Sequence, residues 1–94
     1  MKYVWDEKKS RQNLAKHKIS FETAMLVFED PHGINRLDRV TDGEERWQML
    51  GLGGGIVLLL VAFTYRKEDD GEVIRIISAR KATPLERRIY EKNL

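Results

Sequence analysis

The run Ile56–Phe63 is the longest apolar stretch of this 94-residue chain, and it constrains the fold more than any other feature. Eight apolar residues are far fewer than the roughly 20 that a membrane-spanning helix needs. The run instead predicts a central strand that is covered on both faces of a sheet. Gly53-Gly54-Gly55, directly before it, predicts a hairpin loop to a preceding strand.

Turn residues divide the neighbouring segments into further strands. Asp42-Gly43 and Asp69-Asp70-Gly71 are turn signals, and the segments between successive turns favour extended structure. The sequence therefore predicts an antiparallel meander of three or four strands, with a possible extra edge strand at Tyr3-Val4. The predicted strands are residues 34–40, which alternate only loosely, 46–52, 56–65 and 72–79.

Helix signals stand at both ends of the chain. Asp6 is suited to cap a first helix that runs to about His17. Ser20 is suited to cap a second helix, which Asp30-Pro31 ends because proline disfavours helix in the residue before it. Thr83-Pro84-Leu85-Glu86 is the capping-box pattern of a final helix. All 94 residues are thus predicted to form a single α+β domain, with two helices before the sheet and one after it.

The charges are unevenly distributed, although 17 basic and 15 acidic residues leave a net charge of only +2. Residues 1–18 hold six Lys or Arg and two acids, and residues 75–94 do likewise, so each end carries +4. The remainder therefore carries 2 − 4 − 4 = −6. If the two ends meet in the fold, they form a positive surface that attracts a polyanion. The alternative is that both ends are simply solvated helices.

Several classes of site lack the residues they require. The absence of cysteine excludes disulfides, thiolate zinc sites and cysteine nucleophiles. His17 and His32 stand fifteen residues apart, without carboxylates at ligand spacing, so neither a metal nor another cofactor is expected. The glycines of 51–55 are not followed by the Lys-Ser or Lys-Thr of a phosphate-binding loop. Charged residues precede any apolar run at the start, so no signal peptide and a cytoplasmic location are expected.

A polar stripe on the first predicted helix holds candidates for chemistry. Its members share one helix face at spacings of i, i+4, i+7 and i+8: Lys9, Asn13, Lys16 and His17. Histidine changes charge near neutral pH, as general acid–base catalysis requires. A histidine at a helix end also often caps carbonyls or lies exposed, which is the structural alternative for His17.

Two arginines lie in or just after the last predicted strand, where an unpaired guanidinium is costly. Strict alternation places Arg80 on one face with Ser78 and Arg75 on the other, so the two are not expected to reach the same site. Arg80 is the better candidate for binding an anion. The alternative is a structural ion pair with a carboxylate such as Glu22 or Glu86.

Residues of these kinds can meet the needs of metal-free RNA cleavage. The 2′-hydroxyl loses a proton, the leaving 5′-oxygen gains one, and negative charge grows on the phosphoryl oxygens. His17, Lys16 and Arg80, with a carboxylate or Tyr90, can supply these functions if the first helix approaches the last strand.

Short motifs along nearly the whole chain form a recognisable pattern. They are Trp5-Asp6, Lys9, Asn13, Lys16-His17, Phe21-Glu22, Ala24, Phe28-Glu29-Asp30-Pro31, Glu45-Arg46, Gly51, Phe63-Thr64-Tyr65-Arg66, Arg75–Ala82, Glu86-Arg87 and Tyr90. In this pattern the chain resembles the BrnT-type ribonuclease toxins of type II toxin–antitoxin modules. The combination of Asn13 and Lys16-His17 with Ile77–Arg80 is its most specific part.

The resemblance implies an endoribonuclease toxin that inhibits translation and has a RelE-like fold. It also implies a BrnA-like antitoxin with a ribbon-helix-helix DNA-binding part, DNA contact only through that antitoxin, and no membrane partner. Together with the chemistry above, it suggests four catalytic residues, namely Lys16, His17, Arg80 and Glu86. The residues suggested to bind RNA or phosphate are Lys9, Asn13, Arg66, Lys81 and Tyr90. In this hypothesis His17 carries the proton transfers, and Arg80 stabilises the charge on phosphorus.

Departures from the pattern concern loops. Lys18 stands where the family is expected to have glycine, and Gly53–Gly55 makes a looser hairpin loop than expected. Two other functions stay open at this point. One is a non-catalytic corepressor that only binds an antitoxin, and the other is a module that binds nucleic acid directly.

Overall fold

The computed structural model describes all 94 residues and has the predicted α+β architecture. Its elements in chain order are β1 (Lys2–Val4), α1 (Glu7–His17), α2 (Phe21–Ala24), a 3₁₀ helix (Met25–Glu29), β2 (Ile34–Thr41), β3 (Glu44–Gly53), β4 (Val57–Glu68), β5 (Gly71–Lys81) and α3 (Pro84–Lys92). None of the helices is long or apolar enough to cross a lipid bilayer.

One mixed sheet of five strands forms the centre, in the order β1-β5-β4-β3-β2. β2 to β5 form an antiparallel meander, and β1 is the additional edge strand that Tyr3-Val4 suggested, parallel to β5. The apolar run lies in β4, the middle strand, where Leu58, Leu59 and Val61 are at most 1 % exposed. Burial on both faces explains why this strand does not alternate in polarity.

The larger core lies between the sheet and the N-terminal helices. Phe21, Ala24 and Val27 are fully buried there, and Phe28 packs edge-on against Phe63 with ring centroids 4.9 Å apart. The predicted second helix is a single α-helical turn that continues as the 3₁₀ helix, in which the amide of Asp30 donates to the carbonyl of Val27, three residues before it. These helices cover one face of the sheet.

The opposite face is covered only in part, by α3. A smaller core there joins Tyr90 of α3 to Leu50, Leu58 and Leu60 of the sheet. α3 begins with the predicted capping box at Thr83 and Glu86. The rest of this face, toward the Asp42-Gly43 turn, is not covered by α3, and we call it the open face of the sheet.

The two basic ends of the chain meet at β5. β1 pairs with β5 from Val73 to Arg75, and α1 packs against β5 further along. α1 ends at His17 and is capped by Lys18, whose φ of 64° lies in the left-handed region that glycine favours. The turn that follows brings Ser20 into position to cap α2, as the sequence predicted.

Candidate active site

His17 and Arg80 line one cavity of about 130 Å³ where α1 meets β5. His17 is the last residue of α1, and Arg80 lies one residue before the end of β5. The rest of the lining comes from three strands: Gln48, Leu60, Ala62, Ser78 and Ala79. The first helix therefore approaches the last strand, as metal-free chemistry at these residues requires.

Hydrogen bonds of the Asn13 side chain hold α1 against β5 at this junction. Its Nδ2 donates to the Ile19 carbonyl at 2.8 Å and the Ala79 carbonyl at 2.9 Å, while the Ala79 amide donates to its Oδ1 at 3.1 Å. β1 pairs with β5 only as far as Arg75, so the Asn13 amide takes the place of a strand partner beyond it. Asn13 is buried, and its amide serves to position His17 one turn later rather than to face solvent.

The guanidinium of Arg80 is only partly engaged. Nη1 donates to Glu86 Oε1 at 2.8 Å and to the Lys81 carbonyl at 3.2 Å, and Nη2 donates to Glu86 Oε2 at 3.0 Å. A guanidinium has five N–H donors, so Nε and the second hydrogen of Nη2 remain, and both lie along one edge of the planar group. That edge has the geometry to hold two oxygens of a phosphate.

Glu86 is fixed from two sides. Besides the two bonds from Arg80, its Oε1 accepts the Thr83 amide at 2.8 Å, and the Glu86 amide donates to Thr83 Oγ1 at 3.2 Å. The bonds from Arg80 lower the pKa of Glu86 to about 2, although burial acts in the opposite direction. Glu86 is therefore a carboxylate at neutral pH, and it orients Arg80. The ion pair anticipated as the structural alternative for Arg80 is present, and it leaves the second edge of the guanidinium available.

A β-bulge puts Arg75 and Arg80 on the same face, so the prediction that they point to opposite sides is wrong. The register of β4 against β5 shifts between Ala62 and Phe63, which leaves Ile77 as an extra residue. One extra residue inverts the alternation of all that follow it. Both arginines consequently lie on the face that α3 partly covers.

Cross-strand register places two further arginines on this face, in line with Arg75. Arg39 is opposite Arg46, Arg46 is opposite Thr64, and Thr64 is opposite Arg75. Adjacent strands are about 4.8 Å apart, so Arg39, Arg46 and Arg75 form a line across β2 to β5, here called the arginine row. Nε of Arg46 is buried without a hydrogen-bond partner, which is rare for a buried polar group.

Sequence reasoning did not select the arginine row, nor Arg36, which lies opposite Gln48 between the row and α3. Arg46 and Arg75 occur in the family pattern, but their convergence depends on the register of four strands and on the bulge. Neither can be read from the local sequence.

A second groove, of about 290 Å³, extends the cavity along α1. Its lining residues are Lys9, Gln12, Asn13, Lys16, His17, Ile77 and Ser78. His17 and Ser78 line both spaces. The exposed side chains of Lys9 and Lys16 therefore adjoin the cavity that holds Arg80. We call these two adjoining spaces, with Lys9, Lys16, His17 and Arg80, the basic cleft. The arginine row lies on the same face of the sheet, four residues along β4 from the partner of Arg80, which is about 13 Å at 3.3 Å per residue.

Two of the predicted phosphate-binding residues lie away from His17 and Arg80. Arg66 is six residues along β4 from Leu60, the partner of Arg80, which is about 20 Å at 3.3 Å per residue. Its Nε is paired with Glu68 at 2.8 Å. Lys81 follows Arg80 in β5 and so belongs to the opposite face of the sheet.

Tyr90 also lies outside the basic cleft. It is only 4 % exposed, and its hydroxyl donates to Asp30 Oδ2 at 2.6 Å. Burial, together with this bond to the Asp30 carboxylate, raises the pKa of Tyr90 to about 12. Asp30 Oδ2 also accepts the Leu52 amide at 2.8 Å. Tyr90 therefore anchors α3 to the turn before β2.

The groups of the basic cleft define what it can do chemically. No three His, Cys, Asp or Glu side chains come together as they would to hold a metal ion. The cavity and the adjoining groove instead combine an imidazole, two lysines and the guanidinium of Arg80. The imidazole can transfer a proton, and the cationic groups can stabilise negative charge on a phosphoryl group.

Comparison with known proteins agrees with this chemistry. A family profile described as "Ribonuclease toxin, BrnT, of type II toxin-antitoxin system" matches residues 5–86. Among solved structures, the chain is similar to the 1.1 Å crystal structure of the Brucella abortus ribonuclease toxin, BrnT. The sequence identity is 25 %, the TM-score is 0.60, and the alignment covers 88 % of this chain and 97 % of that chain. No curated protein matches the chain.

Proposed function

Because this chain belongs to the BrnT family of ribonuclease toxins of type II toxin–antitoxin systems, we propose that it cleaves RNA internally in the basic cleft, without a metal ion. The observation that carries the proposal is the shared cavity of His17 and Arg80, in which the guanidinium keeps a free edge for phosphate. The two residues supply complementary functions, since one can carry a proton and the other holds a permanent positive charge.

In the proposed reaction the scissile phosphate binds to Nε and Nη2 of Arg80. The imidazole of His17 removes the proton of the adjacent 2′-hydroxyl, and the 2′-oxygen attacks phosphorus. As the bond from phosphorus to the 5′-oxygen breaks, the imidazolium returns the proton to that oxygen. The products are a 2′,3′-cyclic phosphate and a 5′-hydroxyl, and Arg80 stabilises the charge that develops in between.

The other predicted residues take supporting roles in this scheme. Lys16 and Lys9 contact neighbouring phosphates along α1, and the arginine row contacts phosphates on the open face. Glu86 acts as a positioning residue for Arg80, because a carboxylate with a pKa of about 2 has no proton to donate at neutral pH. Asn13 positions His17 and does not contact RNA.

The same family membership supports a wider proposal about partners. We propose neutralisation by a BrnA-like ribbon-helix-helix antitoxin, contact with DNA only through that antitoxin, and inhibition of translation in the cytoplasm. All 94 residues would form one toxin domain with a RelE-like fold and two N-terminal helices. The alternative function, a non-catalytic corepressor, does not account for a free guanidinium edge beside an imidazole.

Cleavage of a defined RNA by the purified chain in EDTA tests the proposed function. We expect products that end in a 2′,3′-cyclic phosphate, and at least a hundredfold loss of rate in Arg80→Ala. Arg88→Ala is the matched control, because Arg88 is an exposed arginine of α3 outside the cleft. Its rate should match the wild type, and thermal unfolding should show that both variants fold.

Three outcomes would contradict the proposal. Activity that requires added Mg²⁺, or products with 3′-hydroxyl and 5′-phosphate ends, would exclude metal-free attack by the 2′-oxygen. Equal losses in Arg80→Ala and Arg88→Ala would move the reaction out of the cleft. If neither free RNA nor ribosome-bound mRNA is cleaved, the corepressor function is favoured instead.

A further inference from the structure

A small apolar cavity adjoins the basic cleft where α3 crosses the sheet. Its volume is about 40 Å³, and its lining residues are Ile34, Arg36, Gln48, Leu50, Leu60, Glu86 and Ile89. Gln48 and Leu60 also line the cavity of His17 and Arg80, so the two spaces are neighbours. The nucleoside attached to a phosphate on Arg80 therefore lies within reach of this apolar cavity.

The polar rim of the apolar cavity offers hydrogen-bond donors. Nε of Arg36 donates to Oε1 of Gln48 at 2.8 Å, which fixes the orientation of the Gln48 amide. Both hydrogens of Gln48 Nε2 remain available, and so do the Nη hydrogens of Arg36. Below this rim, Leu50 and Leu60 form an apolar floor.

We propose that the apolar cavity is a subsite for a guanine base next to the scissile phosphate, with Gln48 as the residue that determines specificity. Guanine carries two neighbouring acceptors, O6 and N7, which match the two donor groups of the rim. Adenine instead places an amino group beside N7, and that donor would face another donor. Cytosine and uracil lack the N7 acceptor altogether.

The volume of the apolar cavity allows it to contact one side of a base but not to enclose the base. The cavity is several times larger than the roughly 10–15 Å³ that holds one water, but too small to surround a whole base. The ring therefore rests on Leu60 and Ile89, with its O6 and N7 edge toward Gln48. Stacking on side chains combined with hydrogen bonds to a base edge is the common mode of recognition for unpaired RNA.

The inference rests on the proposed cleavage in the basic cleft, and base analogues test it separately. The substrates are short 2′-deoxy oligonucleotides with a single ribonucleotide, so that each has one cleavable bond. The base on either side of that bond is guanine, adenine, hypoxanthine or 7-deazaguanine. At one of the two positions we expect guanine to be cleaved about tenfold or more faster than adenine, which corresponds to the usual discrimination of a paired base contact.

The analogues identify the edge that is read. Hypoxanthine keeps O6 and N7, so its rate should equal that of guanine, whereas 7-deazaguanine should fall toward adenine. In Gln48→Leu the ratio of guanine to adenine rates should approach one, while Arg88→Ala keeps the wild-type ratio. Gln48→Glu, which replaces the two donor hydrogens by acceptors, should lose the preference as well, and it remains informative if Gln48→Leu does not fold.

Equal wild-type rates for guanine and adenine at both positions would overturn this inference and leave the proposed function standing. A lower rate for hypoxanthine than for guanine would place the contact at the 2-amino group and would overturn the assigned edge. If no substrate is cleaved, cleavage of ribosome-bound mRNA decides whether the proposed function stands. Affinities for all-deoxy oligonucleotides then decide the inference, which requires guanine to bind more tightly than adenine.

Discussion

Replacing Asn13 by alanine tests how α1 is held against β5. The substitution removes three buried hydrogen bonds, of 2.8, 2.9 and 3.1 Å, and leaves the Ile19 carbonyl and both backbone groups of Ala79 without a partner. Each buried group left unsatisfied costs about 1–3 kcal/mol. Because water can reach part of the opened site, we take the low end for each and expect a loss of about 3 kcal/mol in the free energy of unfolding.

Urea denaturation followed by circular dichroism measures this loss. At about 4–8 °C per kcal/mol for a domain of this size, the melting temperature should fall by roughly 12–24 °C. Gln12→Ala, an exposed neighbour without a hydrogen bond, should stay within about 0.5 kcal/mol of the wild type. Asn13→Asp should be no more stable than Asn13→Ala at neutral pH, because its carboxylate faces two carbonyl oxygens.

A loss below about 1 kcal/mol in Asn13→Ala, within the range of a single ordinary hydrogen bond, would refute this reasoning. It would mean that apolar packing, rather than the Asn13 amide, sets the position of α1. His17 would then owe its place beside Arg80 to the core under α1 and α2.

Three other substitutions probe the surroundings of the cleft. Glu86→Gln should lower the free energy of unfolding by about 1–2 kcal/mol at pH 7. Because the pKa of Glu86 falls from 4.5 to about 2 on folding, this stabilisation is complete above pH 4.5 and disappears toward pH 2, so the unfolding curves of wild type and variant should converge in acid. Lys18→Gly should raise the free energy of unfolding by about 0.5–1 kcal/mol, and with it the melting temperature, because the φ of 64° at this position favours glycine. Lys18→Ala should bring no gain, since alanine also has a side chain. Tyr90→Phe should lose about 1–2 kcal/mol through its bond to Asp30, yet cleave RNA within about twofold of the wild-type rate, and a far larger loss of rate would bring Tyr90 back into the site.

Local signals in the sequence predict the elements of this fold well. The capping box at Thr83 begins α3 because its side-chain bonds involve only neighbouring residues. The apolar run in β4 identifies the central strand because burial on both faces removes alternation. The second helix is less well predicted, since Ser20 fixes where it starts but the short chain before Asp30 is wound as 3₁₀ helix.

The candidate site is only partly readable from the sequence. Helical spacing identifies His17 and Lys16 as candidate site residues, and the cost of leaving a guanidinium unpaired in a strand identifies Arg80. The same spacing groups Asn13 with them as a candidate for binding RNA or phosphate, whereas its amide is hydrogen-bonded to Ala79, sixty-six residues away. Arg75 is assigned to the wrong face because one extra residue in β5 inverts the alternation. The local sequence contains no pattern that predicts this bulge.

Cleavage in the basic cleft requires that RNA phosphate binds between His17 and Arg80. Nuclear magnetic resonance of the Arg side chains measures this directly, because each Nε–H gives its own signal. A non-cleavable 2′-deoxy oligonucleotide is titrated into the labelled chain. Arg11 and Arg88, exposed arginines outside the cleft, serve as controls within the same molecule.

We expect the Arg80 Nε–H signal and the His17 ring signals to shift together as the oligonucleotide binds, while the signals of Arg11 and Arg88 do not move. Shifts confined to arginines outside the cleft, with Arg80 and His17 unchanged at saturation, would contradict this expectation.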